Sequence, residues 1–112
     1  MSNSVIIDGM RSPIGMKSGK MIGMRADDLT SDVIKKMIAR NKNIDPQLYE
    51  DLVLGCAFPE GSQGMLIAKG VSILSDLPKS SAAKVVNRFC GSSMDAGHQV
   101  SQTIISKDTV AG

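Results

Sequence analysis

The sequence predicts an α/β fold built on a mainly parallel sheet. Short runs of aliphatic and β-branched residues alternate with longer stretches whose apolar residues recur at helical spacing. The order is strand, helix, strand, helix, strand, helix, strand, the pattern of parallel strands joined by helical crossovers. Right-handed crossovers would set the helices against the faces of the sheet. At 112 residues the chain makes at most one domain, and its 42% hydrophobic and 21% charged residues are those of a chain with a real core.

Ser4 to Asp8 reads as the first strand. Gly9 to Arg25 reads as a loop, broken by Gly9, Gly15, Gly19, Gly23 and Pro13. Its charges, Arg11, Lys17, Lys20 and Arg25, are all positive. They fit a basic flap near an anionic ligand, but a solvated surface loop is the ordinary state of such a segment and is preferred. Asp27 and Asp28 open a helix to about Arg40, with Leu29, Val33, Ile34, Met37 and Ile38 on one face. Acids at its start and bases at its end complement the dipole, and Asp32 and Lys36 form an i,i+4 pair.

Asp45-Pro46 looks like an N-cap followed by proline at the first helical position, starting a short turn of helix to about Asp51. Leu52 to Cys56 is the second strand. After a loop with Pro59 and Gly61, Leu66, Ile67, Gly70, Val71 and Leu74 mark a second amphipathic helix that ends before Pro78. Ala83 to Val86 is the third strand, Gly91 to Ile105 the third helix, and Thr109 to Ala111 the start of a fourth strand. That strand stops after about three residues, where strands usually run to five or six. A truncated domain is therefore expected.

Composition narrows the function classes. A net charge of +2 and only three aromatic residues, Tyr49, Phe58 and Phe89, give no basic patch interleaved with stacking platforms, so no nucleic-acid partner is expected. No apolar run approaches the length of a membrane span, so no membrane partner is expected either. Two cysteines, Cys56 and Cys90, and one histidine, His98, make no metal-ligand spacing, and no metal site is expected. Sequence leaves a Cys56–Cys90 disulfide open, but without a secretory h-region a soluble, cytoplasmic protein with free thiols is expected.

Cys90 is the candidate for chemistry. It follows the run Val85-Val86-Asn87-Arg88-Phe89 and precedes Gly91-Ser92-Ser93-Met94, which reads as a strand, a sharp turn and the first turn of a helix. N–H groups at a helix start lack partners within the helix, and together with the dipole they favour negative charge there. A nucleophilic cysteine suits that place, and a small buried hydrophobe is the bland alternative. Gly91, Ser92, Ser93, Ala96, Gly97 and Ser101 cost this helix propensity, which close packing on other elements would offset. His98 lies eight residues beyond Cys90, roughly 12 Å along a helix, far outside hydrogen-bond reach. No base for Cys90 is evident.

The segment Asn87-Arg88-Phe89-Cys90-Gly91-Ser92-Ser93-Met94 resembles the acyl-cysteine motif of the thiolases. Three more segments resemble that family in the same order. They are Val5-Ile6-Ile7 with Arg11-Ser12-Pro13-Ile14-Gly15, then Arg25-Ala26-Asp27-Asp28-Leu29, then Gly55-Cys56-Ala57-Phe58-Pro59-Glu60-Gly61 with Gln63-Gly64. The resemblance implies a thiolase-like N-terminal βαβαβα(β) unit, incomplete at its C-terminal end. It implies acyl transfer between CoA thioesters through an acyl-enzyme on Cys90, either 3-ketoacyl-CoA thiolysis or acetoacetyl-CoA formation. The Cys90 backbone N–H would then donate to an oxyanion. Acyl-CoA and CoA would be substrates, with no further cofactor, and the intact protein would be a homodimer or homotetramer.

The resemblance also implies a second half of the protein that carries the activating histidine, a further cysteine and another active-site histidine, besides a loop region for CoA. By itself this stretch would be inactive. Leu66 and Lys69 stand where many relatives have asparagine and arginine, and Asp95-Ala96-Gly97-His98 is an unusual continuation of the helix. Cys56 matches a position read as a packed thiol. Two other readings stay open: a decarboxylating ketoacyl synthase-like enzyme of the same fold, and a non-catalytic piece that acts only in association.

Overall fold

The computed structural model describes residues 3–112. Its centre is a two-stranded parallel sheet of β1 (Asp51–Gly55) and β2 (Ala82–Val86), in register from Asp51 opposite Ala82 to Gly55 opposite Val86. Three helices surround it: α1 (Ala26–Arg40), α2 (Ile67–Leu74) and α3 (Ser92–Ile105). α2 joins the two strands and packs on both, α1 packs on α2, and α3 packs on β1 and β2. This is the expected α/β arrangement, with helix starts and strand ends shifted by about a residue, as such boundaries commonly are.

The helices form where the apolar period and, in α1, the charges at its ends agree, although none of the three has a side-chain N-cap. In α1, Asp27 and Asp28 occupy the first turn, and Arg25 donates two hydrogen bonds to Asp27, at 3.0 and 2.8 Å. Lys36 reaches Asp32 at 2.6 Å, the anticipated i,i+4 pair. Asp45 accepts the Gln47 N–H at 2.9 Å and Pro46 opens the turn, so the expected N-cap is present. The turn it starts is a 3-10 turn of Pro46–Leu48. The core is small and centred on α2: Ile67, Ala68, Val71, Cys56 and Ala96 are its buried apolar residues. Serines fill the rest of it. Ser31 and Ser75 bond back to carbonyls one turn earlier, of Asp27 and Val71, which satisfies hydroxyls placed in helices.

Both terminal strands depart from expectation. Ser4 to Asp8 is not a strand; it runs without a ladder, and Ile6 is 95% exposed. Aliphatic content marks a segment as able to join a sheet, but a strand exists only where a neighbouring edge accepts its hydrogen bonds. Here the segment is held by side chains instead. Ser4 bonds to Ser101 of α3, while Arg40 and Asn41 at the end of α1 both donate to Asp8. Between this segment, β1 and α3 lies a mostly apolar groove of about 990 Å³. The expected fourth strand, Thr109 to Ala111, is reduced to one bridge, Ala111 beside Tyr49, with the Glu50 N–H donating to Ala111 at 3.0 Å.

One glycine decides where α3 sits. A Cβ on Gly55 would lie 2.4 Å from the Ser93 nitrogen and 2.6 Å from the Ser92 carbonyl carbon, closer than any real Cβ approaches backbone. Only glycine lets the first turn of α3 lie directly on the end of β1. Gly55→Ala should therefore push the start of α3 off the sheet and cost about 1–3 kcal/mol, the usual range for overpacking. Urea unfolding of the two chains measures it; an unchanged midpoint would mean that α3 has room to spare.

Asp8 gives a second expectation. Hydrogen bonds from the Arg40 side chain first and Asn41 second, with help from the Gly9 N–H, hold its carboxyl down to about 2 from an ordinary 3.8. A depressed acid stabilises the fold above its unfolded value. The contribution should be complete above pH 3.8, decline as the pH falls further, and be gone below about 2. A carboxyl-carbon NMR titration should find a midpoint near 2 that moves back toward 3.8 in Arg40→Ala. A midpoint near 3.8 in the unaltered chain would show that the tether does not form.

Candidate active site

Parallel strands share a direction, so the loops after β1 and β2 leave the same end of the sheet. In open α/β sheets that carboxyl end is the usual place for ligands. The loop after β2 is short: Asn87 and Arg88, then a 3-10 turn of Phe89–Gly91, then α3. Cys90 is the middle residue of that turn, exposed and free, so the thiol is presented at the sheet end rather than packed away. The small-hydrophobe alternative does not hold for Cys90. It does hold for Cys56, which is buried directly after β1 and also free, so no disulfide joins the two.

The turn is gripped from several sides. Phe89 has φ of +48°, a region that bulky residues rarely occupy. Its N–H donates to the Asn87 side chain at 2.9 Å. The Asn87 amide in turn donates to the Ala57 carbonyl at 3.2 Å, which ties the β2 loop to the β1 loop. The rings of Phe89 and Phe58 meet edge to face with centroids 6.4 Å apart, a second tie between the same loops. The buried Ser92 hydroxyl donates to the Phe89 carbonyl at 2.6 Å and accepts the Arg88 N–H at 2.9 Å.

Electrostatics adds an outer layer. Arg88 approaches Asp95 at 3.3 Å, spanning the Cys90 turn from its entry to the first turn of α3. Hydrogen bonding from Gln99 first, and then from Arg88, holds the Asp95 carboxyl below its usual range. Arg88, Asp95, Gln99 and Lys84 line an open polar hollow of about 620 Å³ beside the turn. The pair is solvent-exposed on the arginine side and adds little to stability by itself. His98 is exposed in the second turn of α3, on the wall of the apolar groove. Among the described residues no three His, Cys, Asp or Glu side chains cluster as metal ligands would.

The sequence singles out Cys90 as a candidate but not the residues that brace its turn. Asn87 and Ser92 stood within the motif but carried no assigned role. Ser92 is the first residue of α3 and not its N-cap, and its hydroxyl bonds back into the preceding turn, so a capping signal does not reveal that role. Gly55 stood in a matched segment, yet the need for glycine there is visible only once the strand and helix are placed. The basic residues of Gly9 to Arg25 lie in an exposed loop with turns near Lys17 to Gly23, the solvated state that was preferred.

A family model described as the thiolase N-terminal domain matches residues 4–111. Among curated proteins, the chain is 46% identical over 103 residues to a 3-ketoacyl-CoA thiolase of Alcanivorax borkumensis, covering 91% of this chain and 26% of that protein. It is 45% identical over 109 residues to a 3-ketoacyl-CoA thiolase of Aliivibrio salmonicida, covering 96% of this chain and 28% of that one. A 3-ketoacyl-CoA thiolase of Shewanella denitrificans matches at 41% over 107 residues, with 95% and 28% covered. The chain thus spans about a quarter of the length of these relatives. With the match running through both strands, all three helices and the Cys90 turn, the chain belongs to the thiolase family, as a representative of its N-terminal domain.

Proposed function

We propose that the chain supplies the nucleophile of a thiolase-type acyl transfer, and that the nucleophile is Cys90. The observation that carries this is the exposed thiol in a constrained turn at the carboxyl end of a parallel strand, within a stretch matched to the family's N-terminal domain. The name of these relatives points to 3-ketoacyl-CoA as the substrate. In thiolysis the Cys90 sulfur attacks the 3-keto carbon and forms a C–S bond. The bond between C2 and C3 of the substrate then breaks, and C2 takes a proton to leave as acetyl-CoA. The thiol of a second CoA attacks the resulting thioester, releases the shortened acyl-CoA and returns the Cys90 thiol. Run in reverse from acetyl-CoA, the same steps make acetoacetyl-CoA.

Each part of the turn has a use in that chemistry. The helix start favours the negative charge that the sulfur carries in attack. The Cys90 N–H serves as one oxyanion donor for the tetrahedral intermediate. CoA is a substrate, and the route needs no metal and no redox cofactor. His98, roughly two helical turns beyond Cys90, is too far along α3 to take its proton. The base therefore comes from outside these residues, and by itself the chain is inactive. The whole enzyme is a homodimer or homotetramer of the cytoplasm in this reading. The exposed aliphatic residues Val5, Ile6 and Ile7 beside the apolar groove favour association over an isolated life for this unit.

The test is a chimera in which residues 4–111 replace the matching segment of the Alcanivorax borkumensis protein. It should cleave acetoacetyl-CoA, and intact mass should show one acetyl group on the enzyme. Cys90→Ser should remove the acetyl group and lower kcat by at least about 10³-fold, as loss of a nucleophile does. An acetyl group that persists in the variant would put the nucleophile elsewhere.

A further inference from the structure

We infer that Ser92 is a positioning residue for Cys90: its buried hydroxyl holds Phe89 in the left-handed conformation that presents the thiol. The inference rests on the assignment of Cys90 as the nucleophile and adds what keeps it in place. Phe89, with φ of +48°, is a bulky residue in a region suited to glycine, and such a conformation persists only where its surroundings over-determine it. Ser92 is 4% exposed, and its hydroxyl bonds to both residues before Cys90. It accepts from the Arg88 N–H at 2.9 Å and donates to the Phe89 carbonyl at 2.6 Å. The Arg88–Phe89 pair is thereby closed into a loop by one side chain, with Cys90 leaving it on the far side.

Ser92 is itself fixed. Its carbonyl carbon lies against Gly55, where a Cβ would come within 2.6 Å, so the hydroxyl cannot follow the turn if the turn moves. Asn87 holds the Phe89 N–H, while the Phe89 carbonyl accepts both the backbone N–H and the hydroxyl of Ser92, so the hydroxyl reinforces the backbone bond that sets the direction of the peptide entering Cys90. Without the hydroxyl, Phe89 relaxes toward negative φ and Cys90 swings away from the helix start.

The test reads the rate at which iodoacetamide alkylates Cys90, followed by peptide mass. The sulfur displaces iodide and its proton goes to solvent, so the readout works whether or not the chain transfers acyl groups. Cys56, buried in the folded chain, reports unfolding in the same sample. Ser92→Ala should slow Cys90 alkylation about fivefold, the population ratio that one hydrogen bond is worth, with Cys56 still protected. Phe89→Gly should restore the rate in the Ser92→Ala chain, because glycine adopts positive φ without strain. Phe89→Ala, which loses the same ring contact but keeps the strain, should not. An unchanged rate in Ser92→Ala overturns the inference. So does rescue by both Phe89 variants alike, or loss of Cys56 protection that Phe89→Gly fails to restore.

Discussion

The contact between Gly55 and the first turn of α3 governs the geometry of this molecule. A strand end and a helix start touch backbone to backbone, with no side chain between them. That contact sets the height of α3 over the sheet. Only two residues and a 3-10 turn join β2 to a helix seated that close. A tight connection of that kind forces an unusual backbone, and Phe89 is where it falls. Cys90 comes next, lifted clear of the sheet rather than laid against it.

Around that contact the molecule uses polar groups where a larger core would use apolar ones. Val71 and Ala68 are fully enclosed, but Ser31, Ser72, Ser75, Ser81 and Ser92 are buried with them. Small residues let elements approach closely, and most of their hydroxyls find local partners, Ser72 being the buried one without any among the described residues. Ser31 and Ser75 do so within their own helices, and Ser81 reaches the Tyr49 carbonyl beside the sheet. The half-buried Lys69 follows the same logic: its ammonium donates to the Ser81 carbonyl at 2.7 Å and the Lys79 carbonyl at 3.3 Å, holding the segment that leads into β2.

Much of this was legible in the residues. Apolar period located α1 and α2, the alternation of elements gave a parallel sheet, and the small residues of α3 pointed to close packing. Those signals are local, and local chemistry decides them. Ser4 to Asp8 failed as a strand because pairing is a property of two segments, and apolar content in one says nothing of the other. The Thr109 to Ala111 strand shrank to a single bridge for the same reason. Cys90 stands out as a candidate in the sequence because a motif and a helix start coincide there. Asn87, Ser92 and Gly55 were not, because their roles depend on distances to residues far away in sequence: Ala57 for Asn87, Ser93 for Gly55.

The seating of α3 on β1 is open to direct observation in solution. Proton NMR of the labelled chain should show a strong Overhauser effect between a Gly55 Hα and the Ser93 amide proton. It should also show the strong intraresidue Hα-to-amide effect that marks a left-handed Phe89. Both signals together would establish that the turn carrying Cys90 is held as described. A folded chain with dispersed amides that lacks the Gly55–Ser93 effect would contradict it, and the explanation of how Cys90 is presented would fall with it.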